Sequence, residues 1–580
     1  MKSIINYIKF IILIPVITIS CSESFLDVEP YGSLSGSVVQ NEAGVDNLLI
    51  GAYAYLSNGS YALSTHVLRP GDDNNVGTET GPYYMGAYTY TVNDGNARWD
   101  FEYAAIKRCN EVLQVLEKVE KLDPAKRVQI EAETRFLRAF YYNNLVMYFR
   151  NVPWIDETVT YNAGNYMVSN TVDVYPLIEA ELKFAADNLT ETKADVGRVN
   201  KWAAKSMLAK VYMFQHKFQD AKLLLDDIIL NGQTSNGKKF ELQQEYNLNF
   251  IQRGKHSGEA IFAAQMSVNT LSAGNGNPMD KANGPYPAAP SPGGWGWICF
   301  HFDLVDAYQT DEVTGLPLLD TYYNSEVIND NGIASSEPFT LHQGTLDSRL
   351  DWNVGRRGIP YRDWGNMPGM SWVRNQPNTG PYIFIKNIAE QATWTTDRHA
   401  SGYTNNPLNF IRFADVLLWA AECEVEIGSL AKAEELVNRV RTRAANPDGF
   451  VKKYLDPDDP LAGFSDEPAA NYKVGLYDGH FEANGKTFAR KAVRFERRLE
   501  LCGEHHRFFD LVRYDGYDYD IAESLNAFLA REAPKYSTKA NAYVEGRFVR
   551  NKHEYFPIPQ VQIDMMVKDG QPVLVQNPGW

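Results

Sequence analysis

The chain has 580 residues and a mass of 65.5 kDa, enough for several domains or for one long array of repeats. Apolar residues make up 44% and charged residues 22%, which excludes a wholly disordered or collagen-like chain. Acids outnumber bases 72 to 56, for a formal net charge of -16, so the chain lacks the basic balance that nucleic-acid binding needs. Aromatic residues reach 13%; a core absorbs many of them, and those in loops are candidates for ligand contact.

Residues 1–21 read MKSIINYIKFIILIPVITISC. Lys2 and Lys9 give a basic start, and Phe10 to Ile19 form an apolar run broken only by Pro15 and Thr18. Such a run is too short for about 30 Å of hydrocarbon, which takes about 20 residues. It has the form of a secretory signal over residues 1–20. Cys21 follows directly after Ser20 and resembles the lipid-attachment cysteine of a bacterial lipoprotein, although Thr18 stands where leucine is usual. Residues 21–30 then read as the lipidated Cys21 and a short tether. Several acyl chains anchor firmly where one is marginal. No later segment offers 18 uninterrupted apolar residues, so the chain is expected to lie on a membrane without crossing it. The remaining cysteines, Cys109, Cys299, Cys423 and Cys502, are far apart with no CxxC pair. They read as small buried thiols, and not as a zinc site or a disulfide framework.

The strongest patterns along the chain are helical. From Trp99 to Lys121 an apolar stripe at Tyr103, Ile106, Leu113 and Leu116 has the 3.6-residue period, with Trp99 a packing residue. Asp123-Pro124 then predicts a new helix, with the aspartate as cap and the proline in the first helical position. It runs through Glu131, Phe136, Phe140 and Tyr148 and ends before Asn151-Val152-Pro153. A further helix is predicted over 172–189 around Leu177, Ala180, Leu182 and Ala185. Two later segments, 198–230 and 410–443, resemble each other. Ala209 and Ala221 are twelve apart, as are Ala421 and Ala433, with His216-Lys217 and Gly428-Ser429 as the turns. The spacing resembles a tetratricopeptide repeat, in which small residues let two helices approach closely. The predicted fold is mainly α: tetratricopeptide-like helix pairs packed as an array.

Residues 270–410 differ. They carry GNGNP, NGPYPAAPSPGGWGW, DWGNMPGM and NQPNTGPY, where Gly, Pro and Asn recur too often for long helices. A loop-rich α+β insert is expected there, and loops held on a rigid scaffold are where binding residues collect. Residues 446–486 form another irregular stretch.

The segment 494–513, RFERRLELCGEHHRFFDLVR, reads as a helix with Arg497 and Glu500, Glu504 and Arg507, Arg507 and Asp510, and Asp510 and Arg513 each three apart. Such pairs share a helix face. The chain closes on YFPIP (555–559) and QNPGW (576–580). These residues resemble the RagB/SusD family of outer-membrane lipoproteins from Bacteroidetes. That family's motif R-x-E-R-x-x-E-L followed by E-G-x-R-x-x-D-L-x-R is met by Arg494, Glu496, Arg497, Glu500, Leu501, Glu504, Arg507, Asp510, Leu511 and Arg513, with His505 where glycine is usual. The segment from Cys21 to Pro30 also fits, and Trp580 stands where tyrosine is common. The motif's charges are expected to be structural, since ion-pair networks are common without chemistry.

The resemblance divides the chain into a helical part over 31–230 and a RagB/SusD part over 231–580 containing the insert 270–410. It implies a surface lipoprotein of the outer membrane that captures an oligo- or polysaccharide as the lid of a SusC-type TonB-dependent transporter, with no catalysis and no cofactor. Sugar rings have apolar faces and hydroxyl edges, which aromatic faces and polar side chains match respectively. Three clusters offer both. The first holds Asp72, Asp73, Asn74, Asn75, Tyr83 and Tyr84; the Asp-Asn run fits a turn equally well. The second holds Tyr286, Trp295 and Trp297, and the third Tyr361, Arg362, Asp363, Trp364, Trp372 and Arg374. For each tryptophan the alternative is burial as a packing anchor.

Two acidic groups, Asp515, Asp518 and Asp520, and Asp456, Asp458 and Asp459, lack the full spacing of a calcium loop, so no metal is assigned. HExxH, GxSxG, a GxGxxG after a strand and a phosphate loop are all missing. Two alternatives stay open at this level. Relatives that take peptides exist within the resemblance, and a glycoside hydrolase needs only two carboxylates that no local motif encodes.

Overall fold

A computed structural model describes residues 39–57, 70–76, 83–268, 275–287, 291–399, 401–537 and 540–580. The predicted signal, Cys21 and the tether lie outside the described residues. Numbering only helices of eight or more residues, the order is α1 (Glu42–Tyr53), α2 (Asn96–Lys118), α3 (Pro124–Phe149), α4 (Tyr175–Asn188), α5 (Lys201–Phe214), α6 (Phe218–Asn231), α7 (Phe413–Ile427), α8 (Leu430–Ala445), α9 (His480–Glu500), α10 (Arg507–Tyr514) and α11 (Ile521–Glu532). None of the helices among the described residues is long and apolar enough to cross a membrane.

Local chemistry starts these helices where the sequence places them. Asp123 Oδ1 accepts from the N–H groups of Ala125 (2.9 Å) and Lys126 (3.1 Å), with Pro124 leading α3. Asn200 caps α5 through Ala203 N–H, and Ser429 caps α8 through Lys432 N–H. Each helix from α2 to α9 packs on the next, so the chain builds one continuous array. Ala209, Ala221, Ala421 and Ala433 are fully buried, as the repeat spacing predicts. The two repeat-like pairs are neighbours, because α6 packs directly on α7 although residues 232–412 lie between them.

The intervening segment leaves and rejoins the array through a strand pair. β2 (Ala260–Ala264) runs antiparallel to β6 (Leu408–Arg412), with Ala260 opposite Arg412 and Ala264 opposite Leu408. Beyond that base, β3 (Ile298–Phe300), β4 (Val354–Gly355) and β5 (Ile383–Phe384) form a small antiparallel sheet in the order β1-β3-β5-β4, to which β1 (Asn74–Val76) adds an edge. β7 (Lys452–Tyr454) and β8 (Phe464–Pro468) form a separate hairpin. The main core runs through the array. A smaller one, with Tyr361, Met367, Trp372, Ile383 and Ile388, sits beneath the loops.

The C-terminal motif departs from the single helix expected over 494–513. α9 ends at Glu500, and the chain turns through Gly503 (φ 68°) and His505 (φ 71°) before α10 begins at Arg507. His505 occupies the left-handed region that glycine favours, which accounts for the glycine usual at this place in the motif. Of the four spaced pairs only Asp510 and Arg513 meet, at 2.8 Å; the break separates Glu504 from Arg507, while Arg497 and Arg507 are drawn to Asp510 and Asp72 instead of to their neighbours in the helix. The other motif charges reach across the fold. Glu496 pairs with Arg349 (2.6 Å) and Arg441 (2.8 Å), and Glu500 with Arg349 (2.9 Å), Arg412 (2.5 Å) and Arg443. Glu504 pairs with Arg412 (2.7 Å) and Lys386 (2.6 Å), and Glu259 with Arg412 (2.7 Å). All of these side chains are buried. Burial alone would raise the Glu500 carboxyl, but Arg443, Arg412 and Arg349 outweigh it and hold the group well below its ordinary value. This network ties Glu259, Arg349, Lys386 and Arg412 of the intervening segment to α8 and α9, so it sets how the loops sit on the array.

Candidate ligand-binding site

The loop around Trp295 is clamped by backbone bonds. Tyr286 N–H donates to Trp372 O (3.1 Å), Trp295 N–H to Lys281 O (2.9 Å), Gly296 N–H to Gly284 O (3.0 Å) and Trp297 N–H to Ala282 O (2.8 Å). Gly296 has φ 56°, and a Cβ there would sit 3.1 Å from the Arg374 Cβ, so the turn requires glycine. Arg374 Nη1 donates to the Trp295 carbonyl at 3.0 Å. With its backbone held on both sides, the loop turns its rings outward: Trp295 is 51% and Tyr286 44% exposed. Other tryptophans serve the interior, such as Trp99, Trp202 and Trp419, all buried.

A strip of rings and cations continues from this loop. The Arg374 guanidinium lies 5.2 Å from the Tyr286 ring centre, and Lys281 Nζ 6.0 Å from that of Trp295. Arg398 Nη2 donates to Gly293 O (3.2 Å), and its guanidinium lies 3.7 Å from the ring centre of half-buried Trp394. Trp394 meets Trp364 edge-on at 4.9 Å, and Trp364 Nε1 donates to Ala389 O (2.9 Å). Beneath the strip, Asp280 Oδ2 accepts from Ala389 N–H (2.7 Å) and Oδ1 lies 3.6 Å from Arg398 Nε. Burial pushes the Asp280 carboxyl up to about 6, with Arg398 and the Ala389 N–H only partly offsetting it. At Asp363 opens a cleft of about 290 Å³, lined also by Arg253, Trp352, Arg362, Glu390 and Phe464 among others. Flat apolar faces flanked by fixed hydrogen-bond donors suit a ligand with both apolar and polar faces.

Comparison with known proteins decides the family. Residues 258–580 match the SusD family, and residues 24–213 match a family described as starch-binding and associating with the outer membrane. The chain belongs to the SusD family. A SusD-like protein of Formosa agariphila is 24% identical over 544 residues, covering 90% of this chain and 91% of its own. Among solved structures, a SusD superfamily protein from Bacteroides vulgatus has a TM-score of 0.65 at 20% identity, covering 93% of this chain and 99% of that one. Surface glycan-binding protein A from Bacteroides thetaiotaomicron, solved in complex with laminarihexaose, has a TM-score of 0.60 at 18% identity, covering 93% and 99%. These likenesses establish a SusD fold for the helical array and its loops.

Within this SusD fold the residues proposed from sequence separate into two groups. Trp295 and Arg374 share the strip with Tyr286, and Trp364 joins it through Trp394. Trp297 is half-buried against Ile298. The others lie within the fold. Trp372 is buried edge-on to Tyr361 at 5.5 Å. Asp72 pairs with Arg507 at 2.7 Å, and Asp73 with Arg498 at 2.8 Å. Asn74 and Asn75 belong to β1, opposite Phe300 and Cys299, and Asn75 Nδ2 donates to Thr379 O (3.1 Å). Asp72 and Asp73 thus lie in a turn, as the alternative reading had it, but a buried one held by Arg507 and Arg498, and Asn74 and Asn75 continue it as an edge strand. Tyr83 and Tyr84 begin the helical turn Tyr83–Gly86; the Tyr83 side chain lies outside the described residues, and Tyr84 is half-buried. In the third cluster, Asp363 accepts from the N–H groups of Gln391 (2.6 Å) and Ala392 (2.8 Å), and buried Arg362 donates to Lys386 O (2.6 Å).

Sequence reasoning missed Lys281, Trp394 and Arg398. Trp394 and Arg398 are four apart, the spacing that brings a cation over a ring on a helical turn, and that signal was available. Of the acidic groups, Asp518 pairs with Arg490 (2.7 Å) and Arg494 (2.6 Å), while Asp515 and Asp520 pair with Arg550 (2.9 and 2.8 Å). Asp520 also caps α11.

Proposed function

We propose that this SusD-family chain captures a glycan at the cell surface and holds it on the strip formed by Tyr286, Trp295, Trp394 and Trp364, without catalysis. The observation that carries this is the pair of outward rings, Trp295 at 51% and Tyr286 at 44% exposure, on a loop whose backbone is pinned on both sides. Rings held this way present a ready-made face, so little ordering cost is left to binding. Trp297 borders the same loop, and Arg374 supplies donors beside the rings. Asp72, Asp73, Asn74, Asn75 and Trp372 are assigned to the scaffold, because their polar atoms or rings are already engaged inside it. Tyr84 is left outside the strip.

The same reading makes Cys21 the lipid-bearing residue and places the protein as the lid of a SusC-type TonB-dependent transporter in the outer membrane. Its support is the N-terminal sequence and the family, whose second match is described as associating with the outer membrane. The test of the site is affinity electrophoresis of the full chain in polysaccharide gels, wild type beside Trp295→Ala and Tyr286→Ala. Retardation of the wild type by at least one glycan, lost in Trp295→Ala at unchanged melting temperature, is expected. Retardation of both variants equal to wild type would move the site elsewhere, and binding of a peptide digest alone would replace the ligand class. Co-purification of a TonB-dependent barrel from native membranes tests the lid role.

A further inference from the structure

We infer that the cleft at Asp363 is a second subsite, taking one further sugar unit of the glycan that lies on the strip, with the Phe464 ring under its apolar face and Asn247, Arg253 and Arg362 at its hydroxyls. This rests on the glycan-capture reading above and deepens it: a site of two parts reads the length of the glycan.

The first ground is a second exposed ring on a fixed support. The β7–β8 hairpin and the loop before it close the cleft against the insert. Trp352 Nε1 donates to Gly449 O (2.8 Å), the Tyr454 hydroxyl to Arg362 O (2.6 Å), and Gly365 N–H to the Tyr454 oxygen (3.0 Å). The Phe464 ring stacks on that of Tyr454 at 5.1 Å and 28°, yet remains 45% exposed. It lines the cleft together with half-buried Trp352 and Phe450. The cleft is thus formed before a ligand arrives, with an aromatic wall to cover a sugar face.

The second ground is the mixed character of its polar groups. A sugar hydroxyl both donates and accepts. Of the side chains lining the cleft, Arg253 and Arg362 donate, and Glu390 and the Asn247 oxygen accept. Arg253 Nη2 lies 3.1 Å from Glu390 Oε1, and Arg362 Nη2 donates to Lys386 O. The Asn247 oxygen and the Arg362 Nε and Nη1 are buried and have no hydrogen-bond partner among the described residues. Buried polar atoms left in this way are costly and call for a partner. An acceptor and a donor of this kind at one cleft match a hydroxyl-bearing group, whereas an anion would meet the Asn247 oxygen and the Glu390 carboxylate.

The third ground is continuity. Asp363 lines the cleft and Trp364 of the strip follows it; Ala392 lines the cleft two residues before Trp394. The Asp363 carboxylate accepts from the N–H groups of Gln391 and Ala392, which pins these two segments side by side. At about 290 Å³ the cleft is at the small end of ligand pockets, a size for a short piece of glycan and not for a long one.

The test uses the full chain and four neutral oligosaccharide series, from β-1,3-glucan, β-1,4-glucan, β-1,4-mannan and β-1,4-xylan, each of two to eight units, with Kd read by calorimetry. In at least one series the Kd of the wild type is expected to fall with length. Phe464→Ala should raise the Kd of the eight-unit member at least threefold more than that of the shortest member that binds, at a melting temperature close to wild type, and Asn247→Ala should act in the same direction. Trp295→Ala should weaken all lengths alike. If Phe464→Ala leaves every length at its wild-type Kd, or weakens all lengths equally, the second subsite is overturned and glycan capture on the strip stands; this holds whether or not Asn247→Ala folds. Failure of all four series to bind the wild type overturns both.

Discussion

Where the insert joins the helical array, Arg412 lies buried within 2.5–2.7 Å of Glu259, Glu500 and Glu504, whereas within the insert Arg374 and Arg398 lie over Tyr286 and Trp394 and donate to backbone carbonyls, with Asp280 3.6 Å from Arg398. Tryptophans divide likewise: Trp419 is sealed between helices and Trp295 faces solvent. The same residue types are structural where their charges and faces are fully matched within the chain. The rings become available for a ligand where the chain leaves part of their faces uncovered, as at Trp295 and Tyr286. Loops rich in glycine and proline leave that remainder, because they cannot bring a second packed layer over the rings.

Breaking the array's side of this comparison should have the largest effect. Glu500→Ala removes the acid shared by Arg349, Arg412 and Arg443 and leaves three buried cations one carboxylate short, and should cost about 3–5 kcal/mol in denaturant unfolding. The tryptophans sharpen the contrast next. Trp372→Ala should cost about 3–5 kcal/mol of stability through the cavity it opens. Trp295→Ala should change stability by within about 0.5 kcal/mol and raise the Kd for glycan tenfold or more, about 1.4 kcal/mol. A comparable loss of stability in both variants would remove the distinction between loop and core. Ala421→Leu, at a fully buried helix contact, should cost about 1–3 kcal/mol by overpacking and leave the strip's affinity unchanged per folded molecule.

The smallest effects are in pH. The Glu500 and Asp510 carboxyls, in which nearby arginines override the effect of burial, titrate below their unfolded values. Their contribution is present above about pH 4, the unfolded range, and is lost as pH falls through the folded values. Asp280, under the strip, is pushed up to about 6, so between about pH 4 and 6 the folded state binds more protons and stability declines as pH rises. Melting temperatures from pH 3 to 7 should therefore rise steeply at the acid end. Asp280→Asn should remove a shallow decline near pH 5–6; an unchanged profile would mean that Asp280 ionises near its ordinary value.

Much of the fold is legible in the sequence. Asp123-Pro124 marks the start of α3, and the alanine pairs Ala209/Ala221 and Ala421/Ala433 mark two close helix contacts, because capping and close approach depend on residues only a few turns apart. The break within 494–513 is less legible, since the positive φ at His505 is not encoded by its residue type. The site is legible only in part. Trp295 and Arg374 stand out as loop residues, but Asp72 and Asp73 look equally available in sequence and are paired with Arg507 and Arg498 more than four hundred positions away. Trp394 and Arg398 share a local spacing, but Lys281 and the loop around Trp295 come from another segment, and no local pattern could bring the two together.

The sequence by itself determined the helix pairs, their turns, the loop-rich insert and the family, because propensity, capping and repeat spacing act over short stretches and a family motif is read residue by residue. Only the tertiary structure decided which charges close on one another and which rings remain uncovered. Ion pairing and burial depend on distances between segments far apart in the chain, and these are set when α6 packs on α7 and β2 pairs with β6 at the base of the insert.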